Sequence, residues 1–227
     1  MAEEPRAKYS PIKPQSLSFR VEIAPPIFIM INIGERSSLR IIREKPVGLF
    51  LDAQNLGEIL LPRREMPVEW VLESEVDVFI YLDSEDRLVA TLKQPRIMPG
   101  EFGKLKCVAL TGVGAFLDWG LPKDLLVPFR EQKVRMEIGK TYLVFVMVDE
   151  KSRRLVATTR IARHFDLSPA EYATGDEVNL TVFGKTEMGY KAIINNAHSG
   201  LIFGNEVFQE LSQGEKRVGE LEEILSI

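Results

Sequence analysis

The sequence predicts an all-β chain of tandem, small, closed five-stranded barrels, the third of them incomplete. Two observations carry this. Short segments recur at a fixed offset, and each copy divides into brief apolar runs between turn residues, with no sustained helical period. Val47-Gly48-Leu49-Phe50-Leu51-Asp52 returns as Val113-Gly114-Ala115-Phe116-Leu117-Asp118, an offset of 66. Glu58-Ile59-Leu60-Leu61-Pro62 is echoed by Asp124-Leu125-Leu126-Val127-Pro128 at the same offset, and Arg87-Leu88-Val89-Ala90-Thr91 returns unchanged as Arg154-Leu155-Val156-Ala157-Thr158. A weaker third copy follows in Met188-Gly189-Tyr190-Lys191-Ala192-Ile193 and Gly200-Leu201-Ile202-Phe203. It has no counterpart of the RLVAT segment before Ile227.

The elements follow in order. Residues 1–29 hold five prolines, have no partner in the repeats and precede a second methionine, Met30; they read as a disordered or mis-annotated extension. The first barrel occupies 30–98, with strands expected at Leu39–Arg43, Val47–Leu51, Ile59–Leu61, Glu75–Tyr81 and Leu88–Leu92. These runs are rich in Val, Ile, Leu and Phe and bounded by Gly, Pro and charged residues. The proline-containing linker Lys93–Gly100 leads into the second barrel, 99–167, with strands at Lys104–Leu110, Ala115–Asp118, Leu125–Val127, Thr141–Val148 and Leu155–Thr159. Closure suits sheets this small, which would otherwise leave unpaired edges around too little core. The third, partial barrel occupies 168–227. Ser168-Pro169-Ala170-Glu171 has the form of a capping box with proline at the first helical position, which predicts a short helix. Val218, Leu221, Ile224 and Leu225 predict a C-terminal helix over Gly214–Ile227.

Composition excludes several classes. The chain has 227 residues, 27% of them charged and 45% hydrophobic, and a net charge of −4. It is neither a low-complexity chain nor a strongly basic nucleic-acid binder. One cysteine, Cys107, excludes a disulfide framework and a multi-thiolate metal site, and His164 and His198 are too few and too separated for a metal site of their own. No apolar run reaches the ~18–20 residues of a membrane span, and no secretory signal is evident; a cytoplasmic protein is expected, with no membrane partner. No GxSxG, HExxH, P-loop or CxxC motif is present, so no catalytic residue and no cofactor is expected.

The order of the second copy resembles the RNA-binding S-one motif of ribosomal proteins and exoribonucleases, an OB-fold barrel. It runs Gly112 to Asp118, Asp124 to Pro128, Gly139 to Asp149, then Arg154-Leu155-Val156. The tandem arrangement, with Gly57–Arg64 (GEILLPRR) and Asp124–Arg130 (DLLVPFR), further resembles the conserved virulence factor B (YitL-type) family from Met30 to about Gln213. That resemblance implies a complete third barrel and a C-terminal winged helix, for which this sequence is too short. It also implies Met30 as the ancestral start. Two departures weaken the implied nucleic-acid face. The motif's surface histidine is replaced, its positions being read as Leu61, Val127 and Phe203. The first aromatic of its Phe-Gly-x-Phe segment is replaced by Val47, Val113 and Met188.

Single-stranded RNA needs aromatic faces for its bases and cations for its phosphates. The ring candidates are Phe50, Phe116, Tyr190 and Phe203. For Phe50 and Phe116 burial in a core weighs about evenly against exposure, and the match to the motif's stacking phenylalanine favours the surface. Residues 99–172 carry a net +3, residues 30–98 a net −3 and residues 173–227 a net −5, so the middle barrel alone has a field suited to phosphate. Its candidates are Lys104, Lys106, Arg130, Lys133, Arg153 and Arg154; Arg63, Arg64 and Arg87 would extend the site onto barrel one. The turn pairs Asp83 with Arg87, and Asp149 with Arg153 or Arg154, match the motif's acidic-then-basic turn. The expectation is a non-catalytic RNA-binding regulator of gene expression, with a ribosome or another protein as a further partner and the oligomeric state open. The rival is a protein-interaction scaffold that has lost RNA binding.

Overall fold

The computed structural model describes residues 30–222, and the expectations for 1–29 and for 223–227 lie outside the described residues. All ten expected strands are present. Barrel one is built of β1 (Arg36–Lys45), β2 (Gly48–Asp52), β3 (Glu58–Pro62), β4 (Glu75–Leu82) and β5 (Leu88–Thr91), closed in the order β1-β2-β3-β5-β4. Barrel two repeats it with β6 (Phe102–Leu110), β7 (Gly114–Asp118), β8 (Leu125–Pro128), β9 (Thr141–Val148) and β10 (Leu155–Thr158). The parallel pair that closes each barrel is also shared, Leu60 against Val89 and Leu126 against Val156. This five-stranded closure is the OB architecture, with every strand paired on both sides.

The interior follows the alternation of the strands. Leu39, Ile41, Leu49, Leu51, Ile59, Leu61, Val78 and Ile80 fill barrel one; Leu105, Cys107, Ala115, Leu117, Leu125, Val127, Val144 and Val146 fill barrel two. The glycine of the repeated VGxFLD segment has a steric cause. Gly114 has φ +155°, and a Cβ there would lie 2.2 Å from the carbonyl oxygen of Val127 across the ladder; Gly48 and Gly189 meet the same obstruction. The first strand of each copy also carries a bulge at the matching place, between Ile41 and Arg43 and between Cys107 and Ala109. A bulge bends a long strand, which lets it serve two neighbours in a small barrel.

Barrels one and two share a core. Phe79, Tyr81 and Val89 of the first pack with Ile97 of the linker and with Trp119 and Leu121 of the second, the Phe79 and Trp119 rings meeting edge to face at 5.9 Å. Lys123 donates hydrogen bonds across the junction to the carbonyls of Leu82 (3.0 Å) and Asp83 (2.6 Å).

The third copy is a four-stranded sheet in the order β13-β12-β11-β14, from β11 (Glu177–Thr186), β12 (Gly189–Ile194), β13 (His198–Phe203) and β14 (Lys216–Glu220). Among the described residues no fifth strand closes it. It packs on barrel two through Phe102, Phe145, Phe165, Phe183, Ile161 and Ile193. Asn196 clips the junction, accepting from the Phe102 amide at 2.8 Å and donating to the Gly100 carbonyl at 2.9 Å.

Both helix expectations are corrected. Lys216–Glu220 is strand, not helix: it pairs antiparallel with β11, from Glu177 opposite Glu220 to Thr181 opposite Lys216. The open edge of β11 offers backbone partners that an apolar period cannot reveal, and Gly219 weakens the helical alternative. Nor does Ser168 cap a helix. Its amide and hydroxyl both donate to Asp166, at 2.8 and 2.6 Å, in a local Asx turn. The only helical piece nearby is a single 3-10 turn at Ile161–His164.

Candidate nucleic-acid interface

In barrel two, β7 and β8 present alternate residues outward, and the turn joining β9 to β10 folds over their end. Between them lies an open groove of ≈ 450 Å³. Leu126, Pro128, Val113 and Phe129 give it an apolar floor, and Arg130, Lys151 and Arg154 a basic rim. Phe116, half-buried, stands beside it because it is the cross-strand partner of Leu126. A flat apolar surface flanked by cations is what bases and phosphates of a single strand require.

The turn is tied by local hydrogen bonds. Asp149 accepts from the amide and hydroxyl of Ser152, at 2.8 and 2.9 Å, and these bonds, with Arg130 beside them, hold its carboxyl below the usual carboxylate range. Its main-chain oxygen receives the Arg153 amide at 2.8 Å, and Arg153 takes a left-handed φ of +57°. The side-chain partners differ from those expected. Asp149 pairs with Arg130, and neither Arg153 nor Arg154 salt-bridges to it; Arg154 instead reaches across the inter-barrel junction to Asp86 of barrel one. The barrel-one turn does form as expected. Arg87 binds Asp83 at 2.7 Å and Glu85 at 2.8 Å.

The nominated residues fall into three groups. Phe116, Arg130 and Arg154 gather at the groove, with Arg153 exposed on the same turn. Lys104 and Lys106 are exposed on β6 but do not line it: Lys106 faces Asp118 at the far end of β7, and Lys104 lies against Gly214 of the third copy. Phe50 occupies the place of Phe116 on barrel one, yet the Arg43 guanidinium sits 4.5 Å from its ring centre and the Lys45 ammonium 5.4 Å. Arg63 and Arg64 are exposed near Glu44 and Glu65, each at 3.7 Å. In the third copy Tyr190 takes the interior position of Leu49 and is 7% exposed, with the Lys185 ammonium 5.6 Å from its ring centre, whereas Phe203 is 40% exposed.

One register is corrected. Gly48, Gly114 and Gly189 pair with Pro62, Pro128 and Phe203, so these three are the equivalent outward positions of the third strand. Leu61 and Val127 point inward and are fully buried. A proline thus stands on both closed barrels where the histidine was sought.

Sequence reasoning missed Phe129, Lys151 and Val113 as groove residues. Phe129 lies on a 3-10 turn directly after β8, at a position that barrel one fills with Arg63. The signal available was its place just past the repeated Pro128. The carboxylates Glu73 and Asp77, by contrast, are partners of Arg40 and Arg36 at 2.8 and 2.6 Å. Among the described residues no group of His, Cys, Asp and Glu could hold a metal ion, and no helix is long and apolar enough to cross a membrane. Cys107 is buried, and burial pushes its thiol up.

The S1 domain family model matches residues 33–93 and 99–160, which are the two closed barrels. YitL of Bacillus subtilis (strain 168), described as an uncharacterized protein, is 40% identical over 95 residues, 41% of this chain and 32% of YitL. The chain therefore spans under half the length of that relative. A solved Streptococcus pneumoniae multidomain protein with nucleic acid binding domains is 18% identical, with a TM-score of 0.49 over 84% of this chain and 69% of that one. Drosophila Unr CSD456 is 14% identical, with a TM-score of 0.22 over 82% of this chain and 88% of that one. At those scores neither likeness bears on what this chain does.

Proposed function

Since the chain belongs to the S1 domain family, with both matched copies closed as OB barrels, we propose that it holds single-stranded RNA on barrel two and acts as a non-catalytic, post-transcriptional regulator of gene expression in the cytoplasm. The observation that carries this is the groove over β7 and β8, whose apolar floor adjoins the Phe116 ring and whose rim is basic. One base stacks on Phe116 and the neighbouring base lies against Leu126 and Pro128. Lys151 and Arg153, which hold no carboxylate among the described residues, meet the phosphates, and Arg130 and Arg154 join them by exchanging Asp149 and Asp86 for backbone phosphate. Lys104 and Lys106 add only longer-range attraction.

The test is fluorescence anisotropy of the full chain with a labelled single-stranded RNA of about twelve nucleotides, longer than one barrel's site. It is run at two salt concentrations beside duplex DNA of equal length. Stacking is worth ~1–3 kcal/mol per base, so Phe116→Ala should weaken binding by about 5- to 150-fold. Raised salt should weaken it further, and duplex DNA should bind poorly. No RNA binding at low salt by a folded protein would refute the proposal.

A second reading, a scaffold for a protein partner, draws on barrel one. Arg36, Arg40, Arg43 and Arg87 each already hold a carboxylate there, and the Phe50 ring is covered. That face is self-neutralised, and failure of RNA binding would leave protein docking as the better use for it.

A further inference from the structure

The turns that join the last two strands of the two closed barrels are built alike but pair their charges differently. In barrel one the Asp83 amide donates to the Arg87 carbonyl at 2.9 Å, and in barrel two the Asp149 amide donates to the Arg154 carbonyl at 2.8 Å. Both pairs follow directly on the ladder, after Leu82 opposite Leu88 and after Val148 opposite Leu155. The Oδ1 atoms are used alike, on donors within the turn. That of Asp83 receives the Glu85 and Arg87 amides, and that of Asp149 the amide and hydroxyl of Ser152. The Oδ2 atoms differ. That of Asp83 receives Nε and Nη2 of Arg87, at 2.9 and 2.7 Å, whereas that of Asp149 is taken by Arg130 from the rim of the groove.

Arg154 is thereby kept from the partner that its counterpart in barrel one holds. Its guanidinium crosses the junction to Asp86, and among the described residues it holds no other carboxylate. The barrel-two turn is one residue longer, but the shared backbone bond sets Arg154 beside Asp149 as Arg87 is set beside Asp83. One arginine thus belongs both to the groove, which it lines, and to the barrel junction, and Asp86 does not line the groove.

Taking barrel two as the RNA site, we infer that Asp86 competes with RNA phosphate for Arg154, so that barrel one restrains the groove of barrel two and a filled groove opens this clasp. A phosphate that draws Arg130 off Asp149 vacates its Oδ2 atom. Arg154 then leaves Asp86 and turns to the groove, with Asp149 behind it and the phosphate in front. The exchange costs little, because the Arg154 and Asp86 side chains are each 46% exposed. Lys123 keeps its bonds to the Leu82 and Asp83 carbonyls, so the barrels stay joined while the clasp opens. The coupling is reciprocal: a carboxylate that holds Arg154 more firmly weakens RNA, and RNA weakens the clasp.

The test is anisotropy of the full chain with a labelled single-stranded RNA of about twelve nucleotides, at low salt, in wild type, Asp86→Asn, Arg154→Gln and the double variant. Asp86 has a left-handed φ of +60°, which Asn tolerates, so Asp86→Asn removes the charge and keeps the turn; circular dichroism checks the fold. Asp86→Asn should bind RNA about two- to fivefold tighter, the range of an exposed ion pair. In the Arg154→Gln background the same change should alter affinity less than about 1.5-fold, because the gain works through that arginine. If wild type binds and Asp86→Asn binds no tighter, or if the gain is as large without Arg154, the clasp is overturned and the RNA reading stands. Binding by Asp86→Asn but not by wild type would support the clasp while the wild-type reading fails. No binding by either would overturn both.

Discussion

Lys123 joins barrels one and two in a way that can be tested quantitatively. Its ammonium donates to two barrel-one carbonyls, Leu82 at 3.0 Å and Asp83 at 2.6 Å. Its neighbour Trp119 donates back to the Lys123 carbonyl at 2.6 Å while its ring packs on Phe79. Burial lowers the Lys123 pKa, so the group pays desolvation to hold this position, with Asp86 nearby offsetting part of it. Hydrogen bonds from a charged donor contribute ~1.5–3 kcal/mol each. Two give a ceiling of about 3–6 kcal/mol, but Lys123 is only half-buried and the freed carbonyls can recover water, so the net loss in Lys123→Met is set at about 1–3 kcal/mol. With a urea slope of ~2 kcal/mol/M, the midpoint should fall by about 0.5–1.5 M. The assay is urea unfolding followed by tryptophan fluorescence in a Trp70→Phe background, so that Trp119 alone reports the junction, alongside far-UV circular dichroism. A midpoint within about 0.2 M of wild type, or under ~0.4 kcal/mol at that slope, would refute the idea that this clamp holds the barrels together.

Gly114→Ala puts a Cβ 2.2 Å from the Val127 carbonyl oxygen at a φ of +155°, and should cost about 2–5 kcal/mol. Gly112→Ala, with nothing within 4 Å, should leave the melting temperature unchanged, and equal effects of the two would defeat the steric account. Two carboxyls make stability acid-sensitive: the Arg96 hydrogen bond holds Asp118 below its ordinary value and the Ser152 amide holds Asp149 below its own. A folded-state pKa below the unfolded one stabilises above the unfolded value of ~4 and is lost as pH falls through the folded value. Melting temperature should therefore drop between about pH 5 and pH 2, less steeply in Asp118→Asn; a flat profile would contradict it. In the RNA assay Phe50→Ala should change affinity less than about threefold, since its own cations already occupy the ring, and a loss matching that of Phe116→Ala would contradict the assignment to barrel two.

The repeat made the barrels legible, because a fixed offset of 66 carries register as well as strand content. All ten expected strands formed within two or three residues of their expected ends. The third copy was legible only where its segments resembled the others. Its last described strand was misread as helix because Val218 and Leu221 suit a helical stripe, while the backbone edge that recruits Lys216–Glu220 lies some forty residues earlier, on β11. In the candidate site, pattern pointed to Phe116 and to the Asp149 to Arg154 turn, which lie beside one groove. It did not determine which cation meets which carboxylate. Arg154 is five residues from Asp149, across the turn between β9 and β10, yet Arg130 takes that carboxylate and Arg154 crosses to Asp86. Those choices depend on how two barrels pack, which no local spacing encodes. The outward third-strand position failed for a simpler reason: a shift of one residue reverses every side chain of a strand.

The two closed barrels are near-copies in backbone, so any difference in ligand binding has to come from the residues over β2 and β7. Their platform rings are equivalent, and their surroundings are not. On barrel one, Arg43 covers Phe50 while also holding Glu58, so a base must displace a cation–π contact worth ~0.5–1 kcal/mol and disturb an ion pair with it. On barrel two the bulged strand presents Ala109 opposite Phe116, and among the described residues no cation lies over that ring. The basic excess lies on the same barrel, with residues 99–172 at a net +3 against −3 for residues 30–98. Ring access and phosphate attraction thus favour one barrel together. Lys123 and the Arg154–Asp86 pair fix the other barrel against it, which gives barrel one a structural part in the proposed site: it anchors the arginine that closes the groove's rim.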